Sequence, residues 1–384
     1  MKKISLYNFI FYISYIMLIS NVMFSKVTFL EPVLNFMQLL ALIMMSALII
    51  LKNQKVKKNT FILMLFFTFI IILSYLFSYN SSVKDSSLVM MLFILFSAKN
   101  MDFDSLIKTD FKIKSALFLI ELIFYFLNLT SGSPILYREN TARYSLGFGH
   151  PNILAITLVS IILEYFYLKK EKLKKIYLLP LAIFLIIIDL LTDSRSSLMF
   201  LILIFILLLF KSSLFKFVYN KNIKKIVINS FFIFTFVSFI LVLLYSSHTK
   251  LGLILNTIFS NRLYYISKIL DYYHVNLLGQ NLILTGKEAI SLYGNYTQTL
   301  DNCYIYLLIR FGLLSFLLMG YLFKKNFEKA YNEKNTYLIW ILFLFMIYGL
   351  MEKYTISIFY NVFILYFIKS LYVEKQNLEV IVNE

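Results

Sequence analysis

The sequence predicts an all-α integral membrane protein: a polytopic bundle of about twelve transmembrane helices with a large extracytoplasmic loop carrying short amphipathic helices. Three observations predict it. Of 384 residues, 60% are hydrophobic and 15% charged, where a soluble domain carries about 25% charged residues. The apolar residues gather in runs of roughly 17–21, enough to cross a hydrocarbon core of about 30 Å at 1.5 Å per residue. Lysines fill the short gaps between alternate runs, which is how cytoplasmic loops are held inside.

Spans are expected at 5–24, 33–51, 60–78, 86–98, 115–130, 152–168, 176–191, 196–210, 225–245, 303–323, 336–351 and 355–372. The fourth is short. The seventh and eighth are separated only by Thr192-Asp193-Ser194-Arg195. Counted from a cytoplasmic N-terminus, the inside loops hold 26 Lys and the outside loops ten Lys or Arg. Both termini are therefore expected in the cytoplasm. Lys2-Lys3 before an apolar run resembles a signal peptide, but no small-x-small cleavage site follows, so the run is expected to stay as the first helix. The net charge of +17 is accounted for by these topological lysines, so nucleic acid is not an expected partner. The single cysteine, Cys303, excludes an internal disulfide and any cysteine-based metal cluster. The whole chain, 1–384, reads as one domain.

Two outside segments are long, 131–151 and 246–302. They contain seven of the ten glycines and all three histidines, His150, His248 and His274. Arginine follows the same asymmetry. The chain has 32 Lys and five Arg, and no Arg falls in a cytoplasmic loop. Arg138, Arg143, Arg195 and Arg262 are outside, and Arg310 lies about 10 Å inside its helix. A point charge suffices to hold a loop in the cytoplasm, whereas guanidinium offers a planar fork that meets two phosphate or carboxylate oxygens together. The alternative is that these arginines anchor loops to lipid headgroups or pair with Asp and Glu.

Four local patterns stand on this outer face. Arg143 precedes Gly147-Phe148-Gly149-His150-Pro151-Asn152, where Pro151 opens a helix whose free amides can receive an anion. Thr192-Asp193-Ser194-Arg195-Ser196 forms a tight turn. Arg262 is followed by Gly279-Gln280-Asn281. Asp301-Asn302 is followed nine residues later by Gly312. Together they resemble bacterial polysaccharide polymerases of the Wzy type and the related O-antigen ligases, with Asp301 standing where the ligases carry His. The resemblance implies a membrane glycosyltransferase in the plasma membrane of a bacterium. It would polymerise polyprenyl-diphosphate-linked oligosaccharide repeat units into a capsular or exopolysaccharide, without cofactor or metal. Membrane lipids, a flippase and a chain-length regulator of the same pathway are the further partners it implies.

Such a reaction must stabilise charge building on the diphosphate and take a proton from the acceptor hydroxyl. The residue types suit the two tasks. Arg143, Arg195 and Arg262 are candidates for the diphosphate, with Arg310 deeper. Asp301 is the candidate base, with His274 or His150 in reserve; Asp301 could equally cap the next helix, and His150 could simply orient its loop. Asn152, Gly279 and Asn302 complete the candidate substrate contacts. Phe259, Leu263, Ile266, Leu270 and Tyr273 recur at helical spacing, an apolar stripe suited to the membrane surface or to the bundle. Tyr293, Tyr296, Tyr304 and Tyr306 could stack on sugars or form the aromatic belt.

Other signals compete. Asp102-Phe103-Asp104 matches the Asp-x-Asp of nucleotide-sugar transferases but has no partner motif. Glu121, Glu164 and Asp189 lie within spans, where ionisable groups mark pathways or interhelix pairs. A twelve-helix flippase for lipid-linked oligosaccharides is the rival function, with an O-antigen-ligase-like transferase beside it. Transporters place their sites at midplane, often at Gly or Pro breaks. Here Pro180 is the only proline well inside a span, and the polar groups cluster outside.

Overall fold

The structure is a computed structural model that describes residues 5–53, 58–79, 85–131, 135–138, 141–170 and 175–371. Both termini and the basic segments 54–57 and 171–174 lie outside the described residues. The chain is a mostly helical membrane protein. In order come α1 (Leu6–Met23), α2 (Glu31–Asn53), α3 (Lys58–Ser78), α4 (Ser87–Ser97), α5 (Phe103–Phe126), α6 (Pro151–Leu168), α7 (Leu178–Thr192) and α8 (Arg195–Leu209). They are followed by α9 (Lys211–Phe217), α10 (Lys221–Ile228), α11 (Ser230–Ser246), α12 (Lys250–Ile258), α13 (Arg262–Leu270), α14 (Lys287–Tyr293), α15 (Cys303–Tyr306), α16 (Gly312–Asn332), α17 (Thr336–Tyr348) and α18 (Phe367–Leu371).

Five helices are long and apolar enough to cross a membrane, and up to seven if the bent pairs α8–α9 (91°) and α10–α11 (71°) each count as one span. Helices α4, α7 and α17 are apolar but shorter. The first eleven expected runs fall largely on helix, the ninth on the bent pair α10–α11 and the tenth on α15 and α16 with a π-turn between them, whereas the twelfth does not. Residues 353–371 instead form two 3-10 turns, Lys353–Ile356 and Val362–Tyr366, before the short α18. Hydropathy sees only the apolar composition. The backbone breaks because side chains replace helical partners: Asn361 Nδ2 donates to the Thr355 carbonyl at 2.8 Å, and Thr355 Oγ1 to that of Phe345 at 3.1 Å. Irregular backbone at membrane depth is tolerated where protein covers it, and Ile356, Ile358, Val362, Phe363, Ile364 and Leu365 are all buried.

Segment 131–151 also differs from an open loop. Ile135–Arg138 (β1) and Thr141–Tyr144 (β2) pair as an antiparallel hairpin, with Leu136 opposite Arg143. Residues 250–293 hold three short helices. On α13 the apolar face is Leu263, Ile266 and Ile269, all buried, and α13 packs on α11. Packing onto the bundle, one of the settings expected for the stripe, is thus present in the fold.

The opposite end is tied by tyrosines and acids. Tyr167 donates to Asp104 at 2.9 Å, and Tyr337 to the Lys170 carbonyl at 2.7 Å. Asp102 caps α5, accepting from Ser105 N at 2.8 Å. The Asp-x-Asp pair thus serves helix capping and interhelix bonding.

Candidate functional site

Five elements meet at one end of the bundle around a cavity of about 360 Å³, lined by Arg143, His150, Asn152, Arg195, Thr257, Ser260, Asn261, Arg262, Tyr265, Thr299 and Asp301. Each guanidinium is delivered by a different device. Strand pairing holds Arg143. Its Nε donates to the Thr192 carbonyl and its Nη2 to Asn152 Oδ1, both at 2.8 Å. Arg195 opens α8, with only Ser194 between it and the left-handed Asp193 that ends α7. It is exposed and makes no hydrogen bond or ion pair among the described residues. Arg262 opens α13 after two consecutive residues at positive φ, Ser260 (54°) and Asn261 (64°). Such backbone is costly for non-glycine residues and tends to persist at functional sites. Here side chains hold it: Asn256 Nδ2 donates to Asn261 Oδ1 at 3.1 Å, while Asn256 Oδ1 accepts from Tyr264 N at 3.0 Å.

Arg262 is clamped between two acids. Its Nη2 donates to Glu352 Oε1 at 2.5 Å and its Nε to Asp301 Oδ2 at 3.3 Å. Burial works against its charge, but Glu352 and then Asp301 more than offset that, and the guanidinium is held protonated. His150 caps α6, its Nδ1 accepting from Asn152 N at 3.1 Å, so it orients its loop while also lining the cavity.

Glu352 escaped the sequence reading. It follows the helical residues of α17 and is fully buried. Besides Arg262, its Oε1 accepts from Ser196 Oγ at 2.7 Å and from Asn152 Nδ2 at 3.3 Å. One carboxyl thereby joins α6, α8 and α13. Burial pushes it up to about 7, with Arg262 pulling the other way. The signal available in the sequence was a lone acid in the short gap between the last two apolar runs.

Of the ten candidate residues, Arg143, His150, Asn152, Arg195, Arg262 and Asp301 line the cavity, and four do not. Asn302 takes the cap position that Asp301 was a candidate for: its Oδ1 accepts from Tyr304 N and Ile305 N, and its Nδ2 donates to Ser238 Oγ and the Leu350 carbonyl. Gly279 meets the other motif glycine. Both have positive φ, and a Cβ on Gly279 would stand 2.1 Å from the Arg310 carbonyl, one on Gly312 2.2 Å from Gly279 N. This backbone crossing needs glycine for want of space. Arg310 is buried in the π-turn Leu307–Phe311, against the rings of Tyr306 and Phe311. Tyr306 in turn donates to Asp85. His274 is exposed, and its carbonyl accepts from Gln280 Nε2 at 2.6 Å.

Three guanidiniums face two carboxyl groups, so the site carries excess positive charge with one arginine uncommitted. Such an arrangement can hold a multivalent anion by bidentate contacts. Among the described residues no group of three or more His, Cys, Asp or Glu could hold a metal ion. No protein-family model matches the chain, and no curated protein or solved structure matches it either.

Proposed function

We propose that the protein polymerises polyprenyl-diphosphate-linked oligosaccharide repeat units at the outer face of a bacterial plasma membrane. In this reading the chain crosses the membrane about twelve times, with both termini in the cytoplasm and the arginine cavity outside. The observation that carries it is the convergence of Arg143, Arg195 and Arg262 with Asp301 on one cavity, although these residues span 158 positions of sequence.

The chemistry balances without a further reactant. An acceptor hydroxyl oxygen attacks the anomeric carbon of the donor, whose bond to the diphosphate breaks, and the electron pair leaves on the lipid diphosphate. Asp301 receives the hydroxyl proton, because its Oδ1 accepts no hydrogen bond among the described residues while Oδ2 is held by Arg262. Arg195 and Arg262 face the developing negative charge, where fixed donors act most strongly. Glu352 positions Arg262 and Asn152. Arg143 fixes Asn152 and closes the α7–α8 turn.

The test is deletion followed by complementation. Loss of the protein should leave single repeat units on the lipid carrier and remove long chains. The wild type should restore them, and Asp301→Asn should not. Normal chain length after complementation with both Arg195→Lys and Arg262→Lys would refute the diphosphate clamp.

A further inference from the structure

Helix α12 is built inside out. Its buried positions are Gly252 and Asn256, whereas Leu251 is 54% exposed and Ile254 and Ile258 are 57% exposed. Spacings of three and four residues place these three side chains on one stripe. A helix lying in water shows the reverse pattern, polar outside and apolar inside. An exposed row of large apolar side chains marks a surface that something apolar covers.

The turn before α12 fixes where that surface lies. Thr249 closes the turn: its N and Oγ1 both donate to the Leu244 carbonyl, at 3.3 and 2.7 Å, and its Oγ1 accepts from Gly252 N at 3.0 Å. A Cβ on Gly252 would stand 2.2 Å from the same carbonyl. The start of α12 thus rests directly on the last turn of α11, and the close approach needs glycine. With α10, α11 makes up one of the bent pairs apolar enough to cross a membrane. It carries its own exposed stripe, Ile233, Phe236, Ile240 and Leu243, and on a membrane helix such a stripe faces lipid. Leu243 is 63% exposed and immediately precedes the residue on which Gly252 rests. The exposed face of α12 therefore begins at the level where that of α11 ends.

We infer that α12 is sunk into one leaflet of the bilayer, with Leu251, Ile254 and Ile258 among the acyl chains of membrane lipids. Lipid is the occupant because the helix is tied, through Thr249 and Gly252, to the end of a helix whose own exposed stripe faces lipid. Lys250, exposed at the first position, has a stem long enough to carry its ammonium out to headgroup phosphates. Further along, Thr257 and Asn261 are exposed as well, and both line the arginine cavity. Lipid headgroups then border that cavity on its α12 side, and a phosphate carried by a lipid reaches the arginines without leaving the bilayer. The inference requires α11 to be in the membrane and makes no use of the polymerase reading.

The experiment uses the full chain in phosphatidylcholine vesicles. The single native thiol, Cys303, is fully buried, so the wild type supplies the blank for labelling with a bimane fluorophore. Ile254→Cys and Ile258→Cys put the probe on the α12 stripe, and Phe236→Cys puts it on that of α11, all at exposed positions. Each is read with lipids brominated on the acyl chain and with aqueous iodide. At 254 and 258 brominated lipid should quench as strongly as at 236, and iodide weakly. Phe236 lies about 12 Å deeper along α11 than Leu244. Bromine near the headgroup end of the chain should therefore quench best at 254, and bromine near the methyl end best at 236. Quenching at 254 and 258 by iodide alone would put the stripe in water, and quenching by neither would put it under protein; either result overturns the proposal. Stronger quenching at 254 from the methyl end would overturn its depth, and no quenching by brominated lipid at 236 would remove its premise. None of these readings involves turnover, so this placement and the polymerase reading can fail separately.

Discussion

Two places in this molecule bury acids beside cations, and they do opposite things with them. Toward the lysine-rich end, Lys114 on α5 lies 2.6 Å from Asp110 and 2.7 Å from Glu164. Ser160 and Tyr15 add bonds of 2.9 Å to Glu164 and 2.8 Å to Asp110. All of these side chains are buried, so the charges serve to join α1, α5 and α6. At the other end, three arginines meet two acids around open volume, and the Arg195 side chain makes no hydrogen bond or ion pair among the described residues. Burial of charge is common to both and so marks neither as a site. An excess of one sign, fixed in place beside empty space, is what separates them.

The sharpest way to break the comparison is Lys114→Met. It strands two carboxyl groups away from water, and loss of one partner from a buried pair costs roughly 3–5 kcal/mol. A large drop in melting temperature and folded yield is expected; an unchanged melting curve in detergent would show that the cluster holds nothing together. Arg195→Lys should do the reverse. Turnover should fall about 10²–10³-fold, as for loss of a fixed donor, with melting unaffected because the Arg195 side chain bonds to none of the described residues. A variant that melts early but polymerises normally would assign Arg195 to the scaffold.

The third effect depends on pH. Above about 7 the ionised Glu352 cancels one unit of cavity charge, and below it the protonated acid does not. Binding of a diphosphate diester, whose own charge is constant in this range, should therefore tighten on the order of tenfold between about pH 8 and about pH 6. Glu352→Gln should flatten the profile, and a slope that survived it would move the titration elsewhere. The smallest effect on turnover belongs to Asn302→Ala. Removing the cap of α15 together with the bonds to Ser238 and the Leu350 carbonyl should cost roughly 2–3 kcal/mol and lower the melting temperature, with little change in turnover. Its neighbour Asp301 should behave the other way, which divides adjacent residues between scaffold and chemistry.

Much of this site could be read before the fold. Concentration of Lys in one alternate set of gaps between apolar runs and of Arg in the other singled out Arg143, Arg195 and Arg262, because guanidinium and ammonium differ in what they can bind. The same rule also pointed to Arg310, which instead packs on Tyr306 and Phe311. A cation's depth along a helix does not say which neighbour it faces. Glu352 was missed for a related reason. Its partner Arg262 lies 90 residues away, and pairing at that separation leaves no local pattern. The motif glycines Gly279 and Gly312 were legible as special positions, but their mutual contact is a matter of two backbones crossing.

By itself, the sequence determined that this is a membrane protein and where nearly every apolar helix runs, because the cost of exposing backbone and charge to lipid acts on each segment alone. It also determined which face is rich in arginine. Tertiary structure alone decided that the last apolar run breaks into 3-10 turns, that Glu352 rather than lipid or water receives Arg262, and that Glu121 is enclosed beside Gly147. Those outcomes depend on what covers each group, and burial is a property of the assembled bundle.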